Sequence, residues 1–120
     1  MAKAVDDTVL DGALNIIDNT TRMVACSGQP ANFAGIAAVA LADVVMAPGD
    51  FTDANGDTNG RKVTVAAKSG VSVDTNGTAT HVSMDDGTTL LYVTTCTSQA
   101  LTAGNTVNFP AWDIEIADPT

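Results

Sequence analysis

From about Arg61 onward the chain alternates apolar residues with Thr and Ser and interrupts them with Gly, Asn and Asp, and a period of two marks such a segment as short β-strands joined by turns. Lys62-Val63-Thr64-Val65-Ala66-Ala67 places Val63, Val65 and Ala67 on one face, and Ser69-Gly70 ends that strand. Val71 and Val73 lead into Asp74-Thr75-Asn76-Gly77, whose Asn-Gly pair suits the positive φ angles of a type I′ turn. This predicts a hairpin with Ala79 to Met84 as its return strand. After a turn at Asp85-Asp86-Gly87, Thr88 to Thr97 is expected to form a long strand, with Leu91 and Val93 on one face and Leu90, Tyr92 and Cys96 on the other. Apolar residues on both faces predict a central place in a sandwich, or an oligomer contact. Thr102-Ala103-Gly104-Asn105 turns the chain into Thr106–Phe109, where Pro110 lacks a ladder donor and marks an edge or bulge. Trp112, Ile114 and Ile116 then share a face opposite Asp113 and Glu115.

The first third has a different period. Val9, Leu10, Ala13, Leu14, Ile16 and Ile17 recur at three- and four-residue intervals, which predicts a helix over 7–20 capped by Asp6 or Asp7. Gly12 costs that helix about 1 kcal/mol relative to Ala, and Asp18 sits at the wrong end of its dipole, so it needs docking to persist. Arg22 to Cys26 reads as a strand and Ser27-Gly28-Gln29-Pro30 as a turn. Phe33 to Met46 fits a buried strand pair or a short helix, with extended chain expected at Val39–Ala47 before Pro48-Gly49-Asp50. The whole is one domain over 1–120: a flexible arm at 1–6, the helix at 7–20 and a β domain at 22–117. The expected fold is mainly β, an antiparallel sandwich or barrel-like domain with one N-terminal α-helix.

Hydrophobic residues make up 45% of the 120 but aromatics only 4%, so the core must come from Ala, Val, Leu and Ile. At roughly 25 cal/mol per Å² of apolar surface, small side chains stabilise less per residue, and partner surfaces are expected to supply part of the stability. Fourteen Asp and Glu against 5 Lys and Arg give a net charge of -9, which repels phosphate backbones and anionic membranes; no nucleic-acid or membrane partner is expected. The N-terminal residues contain no apolar signal segment, and Phe33–Ala47 is too short, and too charged at Asp43, to span a bilayer. Cys26 and Cys96 lack metal or redox spacing and are expected to be reduced, buried, small hydrophobes.

In Asp53-Ala54-Asn55-Gly56-Asp57-Thr58-Asn59-Gly60, Asp53, Asn55 and Asp57 fit the first three ligands of a calcium loop, but Thr58 replaces its glycine and Thr64 its bidentate glutamate, so a tight turn is expected. His81 is the sole histidine and has no nearby partner for a dyad or metal site. Asp85-Asp86 lie in a turn context, Asp113 and Glu115 on an exposed strand face, and neither setting shifts a carboxyl pKa toward acid/base work. Ser27 and Ser98 lack a nucleophile elbow, and the glycine segments lack the Lys-Ser/Thr of a phosphate loop. No catalytic, cofactor-binding or metal-binding residue is assigned, and the chain is expected not to be an enzyme.

The helix opening Asp7-Thr8-Val9-Leu10-Asp11, the segment Leu41-Ala42-Asp43 leading to Gly49-Asp50-Phe51-Thr52, Gly60-Arg61-Lys62-Val63-Thr64-Val65, Leu90-Leu91-Tyr92-Val93-Thr94-Thr95-Cys96-Thr97 and the stretch from Asn105 to Pro119 together resemble small virion structural proteins of tailed bacteriophages. The resemblance implies a capsid decoration (cement) protein, made in the host cytoplasm, that binds the major capsid protein on the outer head surface and itself as a homotrimer. It carries over no functional residues. Contact surfaces are expected at the arm Met1–Val5 and at exposed apolar strand faces, with Phe33, Tyr92, Phe109 and Trp112 as interface anchors because aromatics dominate interface energetics. The alternatives are a neck, collar or tail component and, from another class, a calcium-dependent carbohydrate-binding module using Asp53 to Asn59.

Overall fold

In the computed structural model, which describes residues 4–118, the chain opens on helix α1 (Asp7–Ile17), capped where the Asp6 carboxylate accepts the Thr8 N–H at 2.8 Å. The helix stops short of Thr20 because Asn19 and Thr20 donate instead to the carbonyls of Ile16 and Ile17, three residues back, tightening the last turn. Only half of its apolar residues are covered. Leu10, Leu14 and Ile17 are buried, whereas Val9 is 63% and Ile16 55% exposed.

Three antiparallel sheets follow. Strands β1 (Arg22–Cys26), β2 (Ala40–Val45), β6 (Gly77–Asp85) and β7 (Leu90–Leu101) form a four-stranded sheet in the order β2-β1-β6-β7. Strands β3 (Phe51–Asn55), β4 (Arg61–Val65) and β9 (Trp112–Ile116) form a second in the order β3-β4-β9, and β5 (Lys68–Ser72) pairs with β8 (Thr106–Phe109). The fold is therefore mainly β with antiparallel sheets in a sandwich-like arrangement and an N-terminal helix.

The inner face of the large sheet presents Met23, Ala25 and Met84 to Phe51, Val63, Val65 and Ile114 of the second sheet and to Val71, Val107 and Phe109 of the third, in one core closed at its end by Leu14 and Ile17. The opposite face is covered in part by a 3-10 turn (Phe33–Gly35) and one helical turn α2 (Ile36–Val39), which seal Val24, Cys26 and Ile36 in a second patch with Phe33 and Leu90 against it. The molecule measures 54 × 26 × 24 Å with a radius of gyration of 15.4 Å. A compact chain of this length would have a radius of gyration of about 14 Å, so the sheets are laid out lengthwise.

Several expectations are corrected. The Asn76-Gly77 hairpin does not form: β5 pairs with β8 and β6 with β1 and β7, while the Asn76 side chain accepts the Ala103 N–H at 2.7 Å. The local turn signal was outweighed by burial of Ala79 and Met84 between other strands. The alternating segment at Lys62–Ala67 ends at Val65, and Ser69-Gly70 lies within β5, at a register shift where Gly70 takes φ 68°. The start of the Asp/Asn tract is strand β3, with the hairpin turn confined to residues 56–60. The extended chain expected at Val39–Ala47 is borne out as strand over Ala40–Val45, with Val39 instead ending α2. Finally, β7 is four residues longer at its C-terminal end than expected and lies at the edge of its sheet. Leu91, Tyr92 and Leu101 pack on the main core and Leu90 on the second patch, while Cys96 is exposed. Met1–Lys3 and the last two residues, with half of the arm expected at 1–6, lie outside the described residues.

Candidate functional site

Charge is distributed over this fold in a way that isolates one surface. Each cationic side chain among the described residues is ion-paired: Arg22 with Asp85 at 3.0 Å, Arg61 with Asp11 at 2.8 Å, Lys62 with Asp57 at 2.7 Å and Asp113 at 3.5 Å, and Lys68 with Asp50 at 2.9 Å. What remains is acidic surface on α1, the β3–β4 hairpin and β9. Two long runs, Met23–Ala42 and Gly87–Trp112, contain no Asp, Glu, Lys or Arg. They supply α2, β7 and β8. Those charge-free runs are the signal in the sequence that residue-type motifs miss.

Open strand edges differ accordingly. β2 carries Asp43, β3 Asp53 and β9 Asp113 and Glu115, whereas β7 presents 12 uncharged residues, of which Thr95 to Ala100 are exposed. β6 is the neighbour on one side of β7; no strand lies on the other. Beside this edge runs an open groove of about 390 Å³ between Val82 and Thr94–Thr97 on one wall and Phe109, Pro110 and Trp112 on the other. It continues into a second hollow of about 220 Å³ lined by Ala25, Ala79, Gln99 and Val107. The floor is apolar and the rim is hydroxyl and amide.

Three of the four aromatic candidates gather here. Tyr92, opposite Met84 on the inner face, lies with its ring centroid 5.9 Å from that of Trp112 and tilted by 33°, while Phe109 is 6% exposed, a core residue contributing to the groove wall. Phe33 is elsewhere: it lies under the Arg22 guanidinium at 5.9 Å from the ring centroid, on the far face of the sheet, beside a shallow depression formed with Ala31, Asn32, Thr88 and Leu90.

The polar candidates are engaged in structural contacts. Asn55 accepts from Arg61 at 2.7 Å and Asp57 from Lys62 at 2.7 Å, so oxygens of the calcium-like tract face cations of this chain. Among the described residues no three His, Cys, Asp or Glu side chains are grouped to hold a metal. His81 Nδ1 lies 2.9 Å from Thr80 Oγ1. Asp86 accepts from the Thr88 and Thr89 N–H groups, which hold its carboxyl below the usual carboxylate range. Asp85, expected in a solvated turn, is instead 1% exposed at the end of β6, where it takes the Arg22 guanidinium and the Gly87 N–H. Both cysteines are free thiols. Cys26 is buried as expected, but Cys96 is exposed on β7.

One acidic pair is strained. Partial desolvation, a hydrogen bond with Asp74 and the like charge of Asp74 push the Asp43 carboxyl up. Its ionisation therefore opposes folding: stability contributed by the neutral form is lost as pH rises through the raised folded value and returns as pH falls. Asp43→Asn should raise Tm by about 1–3 °C at pH 7, with the gain shrinking toward pH 4 as the wild-type acid protonates. A thermal scan series that gives the same increment at every pH would contradict this coupling.

No family model, no curated protein and no solved structure matches this chain.

Proposed function

We propose that this protein is a non-catalytic structural component of a tailed-phage particle, a decoration protein that binds the major capsid protein on the outer head surface and stabilises the shell. The observation that carries the reading is the division of the surface: acidic elements that pair with each described cation on one hand, and on the other apolar and hydroxyl surfaces that are left open. Exposed apolar side chains that share one face of an element are where a protein contact is to be sought. The resemblance noted in the sequence supports the same reading. A shell is stabilised by whatever binds assembled subunits better than separated ones, and many copies compensate for a small area per copy.

The capsid-facing surface in this reading is the uncovered stripe of α1 formed by Val9 and Ile16, apolar side chains left open on an otherwise acidic helix. Ile16→Glu should leave stability within about 0.5 kcal/mol, because the residue is exposed, yet weaken attachment to heads at least about tenfold. Heads assembled with and without the protein, imaged by electron cryomicroscopy and heated in parallel, test the whole proposal. Hundreds of copies on the outer surface and a higher disruption temperature support decoration. A dozen or fewer copies at one vertex would move the protein to the neck, collar or tail, and absence from purified particles would end the reading.

A further inference from the structure

We infer that β7 is a self-association edge, at which a second copy of this chain adds its own β7 antiparallel to form one continuous sheet across a two-fold axis. This puts a two-fold dimer in place of the homotrimer that the resemblance implies, and it stands independently of what the protein binds on a particle.

The argument begins with backbone groups. β7 spans 12 residues, about 40 Å of extended chain, and its N–H and C=O groups on the side away from β6 face no other strand. Such an edge is a template for strand addition, and proteins that do not use it blunt it with charge, proline, bulges or cover. β7 has no Lys, Glu, Asp, Arg or Pro along its length. Its ladder with β6 shifts register between Ala79 and His81, where β7 carries two extra residues between Thr95 and Gln99, and again between Met84 and Asp85, and α1 lies against part of the strand; an incoming strand must follow that bend along the exposed stretch from Thr95 to Ala100.

Charge then selects the occupant. Two copies of a chain at -9 repel one another, and pairing along β2, β3 or β9 would bring Asp43, Asp53, or Asp113 and Glu115 against their own images. β7 is the long edge that brings no like charges face to face. Thr94, Thr95 and Thr97 also suit self-pairing, because threonines opposite one another on adjacent strands exchange hydrogen bonds and favour the pleat. An added strand lays alternate side chains over the groove walled by Phe109, Pro110 and Trp112, burying apolar surface that the single chain leaves open. An antiparallel pair is isologous and closes at two copies, where the resemblance implies three.

The test uses the purified full-length chain. Sedimentation velocity and light scattering should give a dimer, twice 12.2 kDa. Thr95→Asp with Thr97→Asp, at exposed positions, should weaken the dimer at least about tenfold by placing like charges on the axis while the thermal transition of the monomer stays intact. Val45→Asp, on the opposite edge of the same sheet, should leave the dimer unchanged. A monomer at about 100 µM, a trimer, a dimer that survives the double substitution, or one dissociated by Val45→Asp would each overturn the inference.

Discussion

Replacing Arg22 with methionine lowers the free energy of unfolding by about 2–3 kcal/mol, and Tm by about 10 °C, because it strands a buried carboxylate. Asp85 is 1% exposed and its Oδ2 receives the Arg22 Nε–H at 3.0 Å, while Oδ1 receives the Gly87 N–H at 3.0 Å. Without the guanidinium, one backbone donor remains for a charge that water cannot reach. Arg22 itself is 34% exposed, which places the loss at the lower end of the range for a broken buried pair. The same guanidinium covers the Phe33 ring, so the variant should also loosen the segment over the second core patch and speed amide exchange at Val24 and Cys26. Arg22→Met combined with Asp85→Asn removes the stranded charge and should recover about half of the loss. Chemical denaturation of the two variants and of Asp85→Asn alone closes the cycle. A change below about 0.5 kcal/mol for Arg22→Met would mean that solvent reaches the carboxylate and that the pair is a surface one.

That pair also shows which parts of the fold could be read from the sequence. Alternation identified the strand faces around Val63 and Val65, and around Trp112, Ile114 and Ile116, because a strand's two faces are fixed by parity regardless of its neighbours. Helical periodicity located α1 but could not say which apolar residues it buries: Leu10, Leu14 and Ile17 turn inward while Val9 and Ile16 stay in water, a division set by the width of the surface it docks on. Pairing partners were less accessible still. Arg22 and Asp85 lie 63 residues apart, and nothing local marks them as a pair. The Asn-Gly turn signal failed for the same reason, since the partners of β5 and β6 are chosen by long-range packing. Tyr92, Phe109 and Trp112 were identified by residue type alone, and it took the topology to bring them to one groove. Cys96 was misread because an edge strand and a central strand carry the same alternation.

Gly60→Ala should be the most damaging small substitution in the chain, and comparison with Gly70→Ala shows why. Both glycines hold left-handed φ angles, 73° and 68°, where an added Cβ costs about 1–2 kcal/mol from local sterics alone. At Gly70 a Cβ meets open space, so the loss stops there. At Gly60 it would overlap the Ile116 carbonyl oxygen and approach Ala117 Cα at 2.8 Å, both backbone atoms that no rotamer change can move. The relief available is retreat of the end of β9 from β4, breaking the pairing of Arg61 with Ile116 and loosening Ile114 and Trp112 behind it. Total destabilisation should exceed about 3 kcal/mol for Gly60→Ala, against about 1–2 kcal/mol for Gly70→Ala. The chain's one tryptophan makes the difference visible, because Trp112 lies on β9 against Tyr92. Its emission should shift to the red in Gly60→Ala below the main thermal transition and stay unchanged in Gly70→Ala. Equal losses in the two variants, with unaltered emission, would mean that β9 does not depend on the hairpin turn for its position, and the groove wall it carries would have to be anchored through Phe109 and Pro110 instead.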